Sequence, residues 1–250
     1  MNFYKNVIEH RGKLLVRGIH DGKEYKEKID YSPTLYAITQ QQTDFQTLPG
    51  QYVKPIQFGN ISKARDFRRN YNTDNAPIFG MDRYQYQYIS DNFPDTIKYS
   101  KDHIKIFTVD IECACENGFP DVENPVEEIL AVTVKNQSNK QIITWGTGEF
   151  KTDRSDVTYI RCKSEKSLIM EFMKFWIKNY PDIITGWNTK FFDIPYLMSR
   201  ICHIVDEKVI KRFSPWNLVE RESIVVRGRP QTHYNIFGIV MLDYLDLYKK

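Results

Sequence analysis

The sequence lacks the features that mark membrane, secreted and zinc-binding proteins. No stretch approaches the ~18 consecutive apolar residues of a membrane-spanning helix, and the N-terminus lacks a signal-peptide pattern. Its four cysteines contain no Cys-x-x-Cys pair, so a zinc site is not expected and reduced thiols are favoured over disulfides. These absences predict a soluble, cytoplasmic protein with no membrane partner.

The chain also lacks a strong excess of either charge. Its net charge is +3, since residues 1–100 contain 14 Lys/Arg against 11 Asp/Glu and residues 101–250 contain 21 of each. Proteins that bind duplex DNA extensively usually have a basic surface. The balance therefore fits a small groove for a single strand, where acidic metal ligands offset nearby basic residues. An aromatic content of 14% supplies candidate stacking surfaces.

The first part of the chain has the pattern of a mostly β domain, which we place at residues 1–103. Alternating segments predict strands at residues 2–10, 13–20 and 23–29, and Asp21 with Gly22 predicts a tight hairpin turn. Residues 40–51 are polar and predict an exposed loop.

A short helix and a further strand complete the prediction for this part. Asn60 is a candidate helix cap, followed by an apolar face made of Ile61, Ala64, Phe67 and Tyr71. The opposite face is basic, with Lys63, Arg65, Arg68 and Arg69. It is either a solvated face or a nucleic-acid contact. Residues 84–90 alternate and predict another strand.

From residue 104 the pattern alternates between strand and helix. The predicted strands lie at residues 104–112, 129–135, 141–144, 157–161 and 182–185. The predicted helices lie at residues 165–178 and 192–203. This order predicts an α/β (α+β) domain with a mixed sheet flanked by helices. Residues 223–238 predict a β-hairpin with a loose turn at residues 228–230.

Carboxylates at the end of the strand at 104–112 are the strongest functional signal. Residues two apart in a strand point to the same face, so Asp110 and Glu112 project together from Cα atoms ~6.6 Å apart. Unpaired carboxylates this close repel each other unless a cation lies between them, and oxygen ligands suit Mg²⁺ or Mn²⁺. The pair alone would more often be a solvated strand edge. Asp193, at the start of a helix, adds a third carboxylate that can reach the same sheet edge, and together they predict a two-metal site.

The segments around these carboxylates resemble the exonuclease motifs of family B DNA polymerases. Val-Asp-Ile-Glu at residues 109–112 is similar to the first motif. Thr-Gly-Trp-Asn at 185–188 and Phe-Asp-Ile-Pro-Tyr at 192–196 are similar to the second. Further segments, at 33–36, 88–91, 211–215 and 242–250, resemble the branch of T-even-like phages. The resemblance spans essentially the whole chain and is strongest from about residue 104.

The resemblance implies a ribonuclease-H-like 3′–5′ proofreading exonuclease domain at residues 104–250, preceded by the N-terminal domain of a DNA polymerase at residues 1–103. It implies that Asp110, Glu112 and Asp193 bind two divalent metals, Mg²⁺ or Mn²⁺, and are the catalytic residues. The implied substrates are single-stranded DNA and primer-template DNA.

The resemblance also assigns roles to residues around the metal site. Asn188 orients the loop of the second motif or contacts the strand end. Phe119 lies against the single strand, and Phe192 is a second stacking candidate, although core packing explains it equally well. The hairpin at residues 223–238 helps to separate primer from template, unless it is an ordinary surface hairpin.

The chain departs from the family pattern at its end. The family's third exonuclease motif, with its Tyr and a fourth metal-binding Asp, would follow residue 250, and it and the polymerase motifs are missing from this chain. Asp243 and Asp246 do not match the position of that fourth Asp. We therefore expect the front piece of a longer or split polymerase, or a fragment, with the remaining polymerase polypeptide as a partner. We also expect this chain alone to be a poor nuclease.

Two alternative functions stay open from the sequence. One is a stand-alone exonuclease of the same carboxylate class. The other is a non-catalytic module that binds single-stranded nucleic acid through the N-terminal strands and the basic helix at residues 63–69.

Overall fold

The chain divides into two compact units, Met1–Tyr99 and Ser100–Lys250. The computed structural model describes residues 2–73, 77–226 and 228–248. Within these ranges no helix is long and apolar enough to cross a membrane.

The first unit is built from two small antiparallel sheets and two helices. Its elements are β1 (Phe3–His10), β2 (Lys13–His20), β3 (Lys23–Ile29), β4 (Thr34–Ile38), β5 (Val53–Gln57), α1 (Ile61–Thr73), β6 (Ile78–Phe79) and α2 (Tyr84–Asn92). One sheet has the order β1-β2-β3 and the other β5-β4-β6. The three predicted N-terminal strands are confirmed to within one residue.

Local sequence signals determine the turns and caps of this unit. Asp21 and Gly22 have φ angles of 48° and 77°, which is the left-handed pair that a tight hairpin turn requires. The Asn60 side chain accepts a hydrogen bond from Lys63 N at 2.9 Å, so it caps α1 as predicted. The basic face of this helix is largely exposed, and its Arg65 binds Glu9 at 2.7 Å.

The predicted strand at residues 84–90 is wrong, because these residues form helix α2. Tyr84 and Tyr88 are the buried residues of that helix, and positions four apart share one helix face. The Tyr88 ring packs edge-on against Tyr31, with centroids 5.6 Å apart. Tertiary packing of this tyrosine face therefore overrides the period-two pattern of the Tyr-Gln repeat.

The second unit is a six-stranded mixed sheet with helices and an added hairpin. Its elements are β7 (Ile106–Cys113), β8 (Ile129–Asn136), β9 (Ile142–Gly146), β10 (Val157–Arg161), α3 (Glu165–Asn179), β11 (Ile183–Gly186), α4 (Asp193–Ile204), α5 (Glu207–Ile210), β12 (Val219–Val226), β13 (Arg229–Ile236), β14 (Val240–Asp243) and α6 (Tyr244–Tyr248). Short 3₁₀ turns occupy Lys101–His103 and Lys211–Phe213.

The sheet of the second unit has the ribonuclease-H-like arrangement. Its order is β10-β9-β8-β7-β11-β14. Strand β8 is antiparallel to both neighbours, whereas β7, β11 and β14 run parallel. Helices α3 and α4 supply the predicted apolar faces, and Leu168, Trp176 and Leu197 are completely buried. The predicted α/β fold class is confirmed. The bounds of the five strands and two helices predicted between residues 104 and 203 differ from the observed ones by at most two residues.

The predicted hairpin is present, but its strands are longer and its turn is tighter than expected. Strands β12 and β13 pair from Val219 opposite Ile236 to Val226 opposite Arg229. Arg229 and Pro230 therefore belong to β13 rather than to a loose turn, and Arg227 lies outside the described residues. Gly228 has φ 78°, which glycine tolerates without strain. The tip is exposed, while Tyr234 and Ile236 at the base are buried in the core.

Candidate active site

Strand β7 presents two carboxylates on one face, as the alternation predicted. Phe107, Val109 and Ile111 are buried, whereas Asp110 and Glu112 between and beyond them are exposed. Side chains alternate between the two faces of a strand. The apolar residues therefore anchor β7 in the core and leave both acids accessible on the opposite face.

Asp193 bonds to β7 beyond the point where that strand stops pairing with β11. Pairing of β7 with β11 ends at Thr108 opposite Thr185, so the backbone of β7 beyond that point needs another partner. Asp193 Oδ1 accepts a hydrogen bond from Ile111 N at 3.1 Å. The first residue of α4 is thereby docked on the strand at the residue that separates Asp110 from Glu112.

The Asp193 carboxyl lies in an environment that disfavours its charge. It is only 3% exposed, and burial raises its pKa to about 7. The hydrogen bond from Ile111 N opposes this shift, while the like charges of Asp110 and Asp243 add to it. The same burial raises the pKa of the nearby Cys113 thiol to about 12, with Asp193 contributing. Within the described residues no lysine or arginine forms an ion pair with Asp193 that would offset the unfavourable burial of its charge.

The three carboxylates are neighbours but not a preformed cluster. Among the described residues no group of three or more His, Cys, Asp or Glu lies close enough together to hold a metal ion. Asp193 points into the protein towards Ile111 N, whereas Asp110 and Glu112 face solvent. Like charges repel each other, so nothing draws the three together by itself. Their convergence on a common cation stays a prediction.

The loop between β11 and α4 is held by close contacts. A Cβ atom added to Gly186 would lie 2.0 Å from Thr189 Oγ1 and 2.9 Å from Val109 O, so only glycine lets the loop pack this closely on β7. Asn188 has φ 59°, a left-handed conformation that Asn accepts better than most residues. Asn188 N donates to Asp243 Oδ1 at 2.9 Å.

Asp243 is a residue of this site that the sequence reasoning did not assign. Its partners are backbone groups of a loop some 55 residues away in sequence, which no local pattern reveals. The signal that the sequence offers is an acidic residue directly after the apolar run at residues 239–242.

The two predicted stacking residues lie side by side with different exposure. Phe119 is 81% exposed, and its ring centroid lies 5.3 Å from that of Phe192. Phe192 is partly buried and stacks on the fully buried Tyr196 at 5.8 Å. Phe119 therefore offers an open aromatic face, and Phe192 supports it from the core side.

The loop that carries Phe119 is fixed at its base. The Glu127 carboxylate accepts hydrogen bonds from Glu116 N and Asn117 N at 3.0 and 2.7 Å. Arg200 Nη1 donates to the carbonyls of Pro125 and Val126. Because the loop base is bonded to the core, an exposed phenylalanine is presented from a defined backbone.

The six-stranded mixed sheet, with Asp193 bonded to its interior strand β7, is that of a ribonuclease-H-like domain. The chain matches the exonuclease domain of family B DNA polymerases over residues 53–250, and it belongs to that family. The sequence-based resemblance is thereby confirmed.

The phage relatives extend the similarity to almost the whole chain. It is 28% identical to the DNA-directed DNA polymerase of Enterobacteria phage T4 and 29% identical to that of Escherichia phage RB69, with 99% of this chain covered in each case. It is 32% identical to the DNA polymerase delta catalytic subunit of Dictyostelium discoideum, in an alignment that covers 56% of this chain and 14% of that protein. The chain spans 30–31% of the length of the two phage polymerases.

Proposed function

We propose that this chain is the N-terminal part of a phage replicative DNA-directed DNA polymerase and carries its 3′–5′ proofreading exonuclease module at residues 104–250, after an N-terminal domain at residues 1–103. Its substrates are the single-stranded primer terminus and primer-template DNA, and its partner is the remaining polymerase polypeptide in the host cytoplasm. The observation that carries the proposal is the docking of Asp193 on β7 between Asp110 and Glu112 in a ribonuclease-H-like sheet.

The donor set fits divalent metal ions. Asp110, Glu112 and Asp193 offer only carboxylate oxygens, and the buried Asp193 has no cationic side chain as an ion-pair partner within the described residues, so a cation would relieve the charge that burial disfavours. These residues would hold Mg²⁺ or Mn²⁺, two per site in the complete domain. Such ions activate a water molecule and stabilise an in-line displacement at a phosphodiester.

The other site residues bind and orient the strand. The exposed Phe119 ring stacks on a base without regard to sequence, as removal of any mismatched nucleotide requires. Asn188, held in a left-handed conformation, orients the loop beside the terminal nucleotide. The hairpin of β12 and β13 exposes its tip, where it separates primer from template.

The proposal is tested by metal binding and by degradation of a labelled single strand. Mn²⁺ is titrated into the purified chain and followed by electron paramagnetic resonance, with Asp110→Ala, Asp193→Ala and the exposed-site control Asp153→Ala. We expect wild-type protein and the control to bind Mn²⁺, and both site variants to bind it at least about tenfold more weakly. Any 3′–5′ degradation of a 5′-labelled oligonucleotide should need Mg²⁺ or Mn²⁺ and disappear in Asp110→Ala.

Two results would contradict this proposal. One is wild-type protein that binds no Mn²⁺ at millimolar concentration. The other is degradation that persists in Asp110→Ala, since the chemistry would then lie elsewhere. Binding of a single strand that is unchanged in the site variants, with no metal binding at all, would instead favour a non-catalytic binding module.

A further inference from the structure

We propose that Asp243 is a positioning residue of the exonuclease site. It holds the loop between β11 and α4 in place, and thereby positions Asn188 in that loop and Asp193 on β7. The consequence for metal binding rests on the proposed function. The consequence for the loop does not.

The Asp243 carboxylate is buried and bonded to backbone amides. It is 6% exposed, and its two oxygens accept hydrogen bonds from Asn188 N and Lys190 N, each at 2.9 Å. Oδ1 also accepts from Leu245 N at 2.9 Å. Within the described part of the chain it forms no ion pair with Lys or Arg. A charged acceptor with amide donors makes strong, directional bonds, so this carboxylate specifies where the loop backbone lies.

Sheet register fixes the carboxylate relative to the loop. Asp243 is the last residue of β14 and lies opposite Gly186, the last residue of β11. The carboxylate therefore emerges at the strand end where the chain enters the loop. Since Gly186 also packs against Val109 of β7, the loop is clamped between its two neighbouring strands.

Backbone hydrogen bonds connect this clamp to the residues on either side of Asp193. Asn188 O accepts from Phe191 N and Phe192 N, and Thr189 O accepts from Ile194 N, at 2.9–3.1 Å. The N-cap residue of α4 is Phe192, whose side chain makes no capping hydrogen bond. The backbone of the loop, rather than a capping side chain, therefore sets where the helix begins and where the Asp193 carboxylate lies on β7.

The chain offers a matched control in Asp246. Its carboxylate lies 3.7 Å from Lys190 Nζ and is half exposed, so it contacts the side chain of the same loop rather than its backbone. Neutralising Asp246 changes the local charge by the same amount as neutralising Asp243 but leaves the amide bonds in place.

The experiment compares Asp243→Asn, Asp243→Ala and Asp246→Asn with wild-type protein. Amide exchange of Asn188 and Lys190 is measured by nuclear magnetic resonance, and Mn²⁺ affinity by titration. Asn keeps the shape of Asp but replaces one acceptor oxygen by an amino group that cannot accept an N–H. We expect exchange at one or both amides to rise by about tenfold or more in Asp243→Asn. Mn²⁺ affinity should fall by about 10–100-fold, while Asp246→Asn changes neither.

The readouts separate this inference from the proposed function. Unchanged exchange at Asn188 and Lys190 in a folded Asp243→Asn protein would overturn the inference, as would increased exchange with wild-type Mn²⁺ affinity. If Asp243→Ala fails to fold, Asp243→Asn alone decides. Absence of Mn²⁺ binding by the wild-type protein would count against the proposed function, and amide exchange would still decide whether Asp243 holds the loop.

Discussion

Asp193 Oδ1 accepts a hydrogen bond from Ile111 N at 3.1 Å, and this bond joins two segments 82 residues apart in the sequence. It places a buried acid from the start of α4 near the end of β7, beyond the last residue of β7 that pairs with the parallel strand β11. The bond fixes Oδ1 of the carboxylate on the strand backbone.

The raised pKa of Asp193 predicts a measurable dependence of stability on pH. Because the folded-state pKa of about 7 lies above the ordinary value, the folded protein binds a proton that the unfolded chain has released between about pH 4 and 7. Stability should therefore fall as pH rises through this window. In Asp193→Asn, which keeps the acceptor for Ile111 N without the charge, this loss should vanish.

The test is thermal unfolding in metal-free buffer at pH 5 and pH 8. At pH 8 we expect Asp193→Asn to unfold at a higher temperature than wild type, by about 2–4 °C for each kcal/mol regained. The exposed Asp153→Asn serves as the control and should follow the wild-type curve. A variant less stable than wild type at pH 8 would contradict the account of an unfavourable buried charge.

The buried ion pair between Arg200 and Glu165 predicts a large loss of stability on truncation. The two side chains are 7% and 8% exposed and bond through two contacts of 2.7 and 2.8 Å. Removing one partner leaves a buried charge uncompensated, so Arg200→Ala should lower the free energy of unfolding by about 3–5 kcal/mol. Urea denaturation measures the change.

An exposed pair in the same unit provides the comparison. Arg154 and Asp156 are 62% and 40% exposed, so Arg154→Ala should leave the free energy of unfolding nearly unchanged. Similar losses for the two variants would mean that burial of the ion pair between Arg200 and Glu165 does not increase the cost of removing its arginine.

The open face of Phe119 predicts a specific loss of single-strand binding. A base stacked on an aromatic side chain contributes about 1–3 kcal/mol, so Phe119→Ala should weaken binding about 5- to 150-fold. Because Phe119 is 81% exposed, its removal should barely change stability. Fluorescence anisotropy with a labelled oligonucleotide in metal-free buffer measures the affinity.

The control for this experiment is Phe150→Ala. Phe150 is also exposed, at 52%, and packs on Tyr159 with ring centroids 5.2 Å apart. Equal effects of the two substitutions would show that the loss reflects general surface hydrophobicity rather than stacking at the site.

The attachment of the hairpin predicts an acid-sensitive contact. The Glu123 carboxylate accepts hydrogen bonds from Thr232 Oγ1 and Arg221 Nη2 on the two hairpin strands. These bonds hold its pKa below the ordinary value, the one from Thr232 most strongly. The contact therefore stabilises the protein above the ordinary pKa and is lost as pH falls through the lowered one.

Glu123→Gln should loosen the hairpin at neutral pH. We expect faster amide exchange in β12 and β13 and a stability loss below about 1 kcal/mol, because the group is largely exposed. Glu149→Gln removes a comparable exposed pair with Arg161 and should leave hairpin exchange unchanged. Unaltered exchange in Glu123→Gln would show that the hairpin base is held by Tyr234 and Ile236 alone.

The sequence by itself determined the elements whose signals are local. Alternation of Phe107, Val109 and Ile111 with Asp110 and Glu112 was enough to define both faces of β7, because strand geometry has a period of two residues. Asp21 and Gly22 determined the first hairpin turn, because both residues tolerate the positive φ angles that a tight turn requires.

Only the tertiary structure decided what depends on distant partners. The period-two pattern of the Tyr-Gln repeat at residues 84–88 predicted a strand, and packing of Tyr88 on Tyr31 selected the helix instead. The docking of Asp193 follows from where β11 stops pairing with β7, and the role of Asp243 follows from its register opposite Gly186. Strand order and register bring these groups together, and no local pattern in the chain encodes either of them.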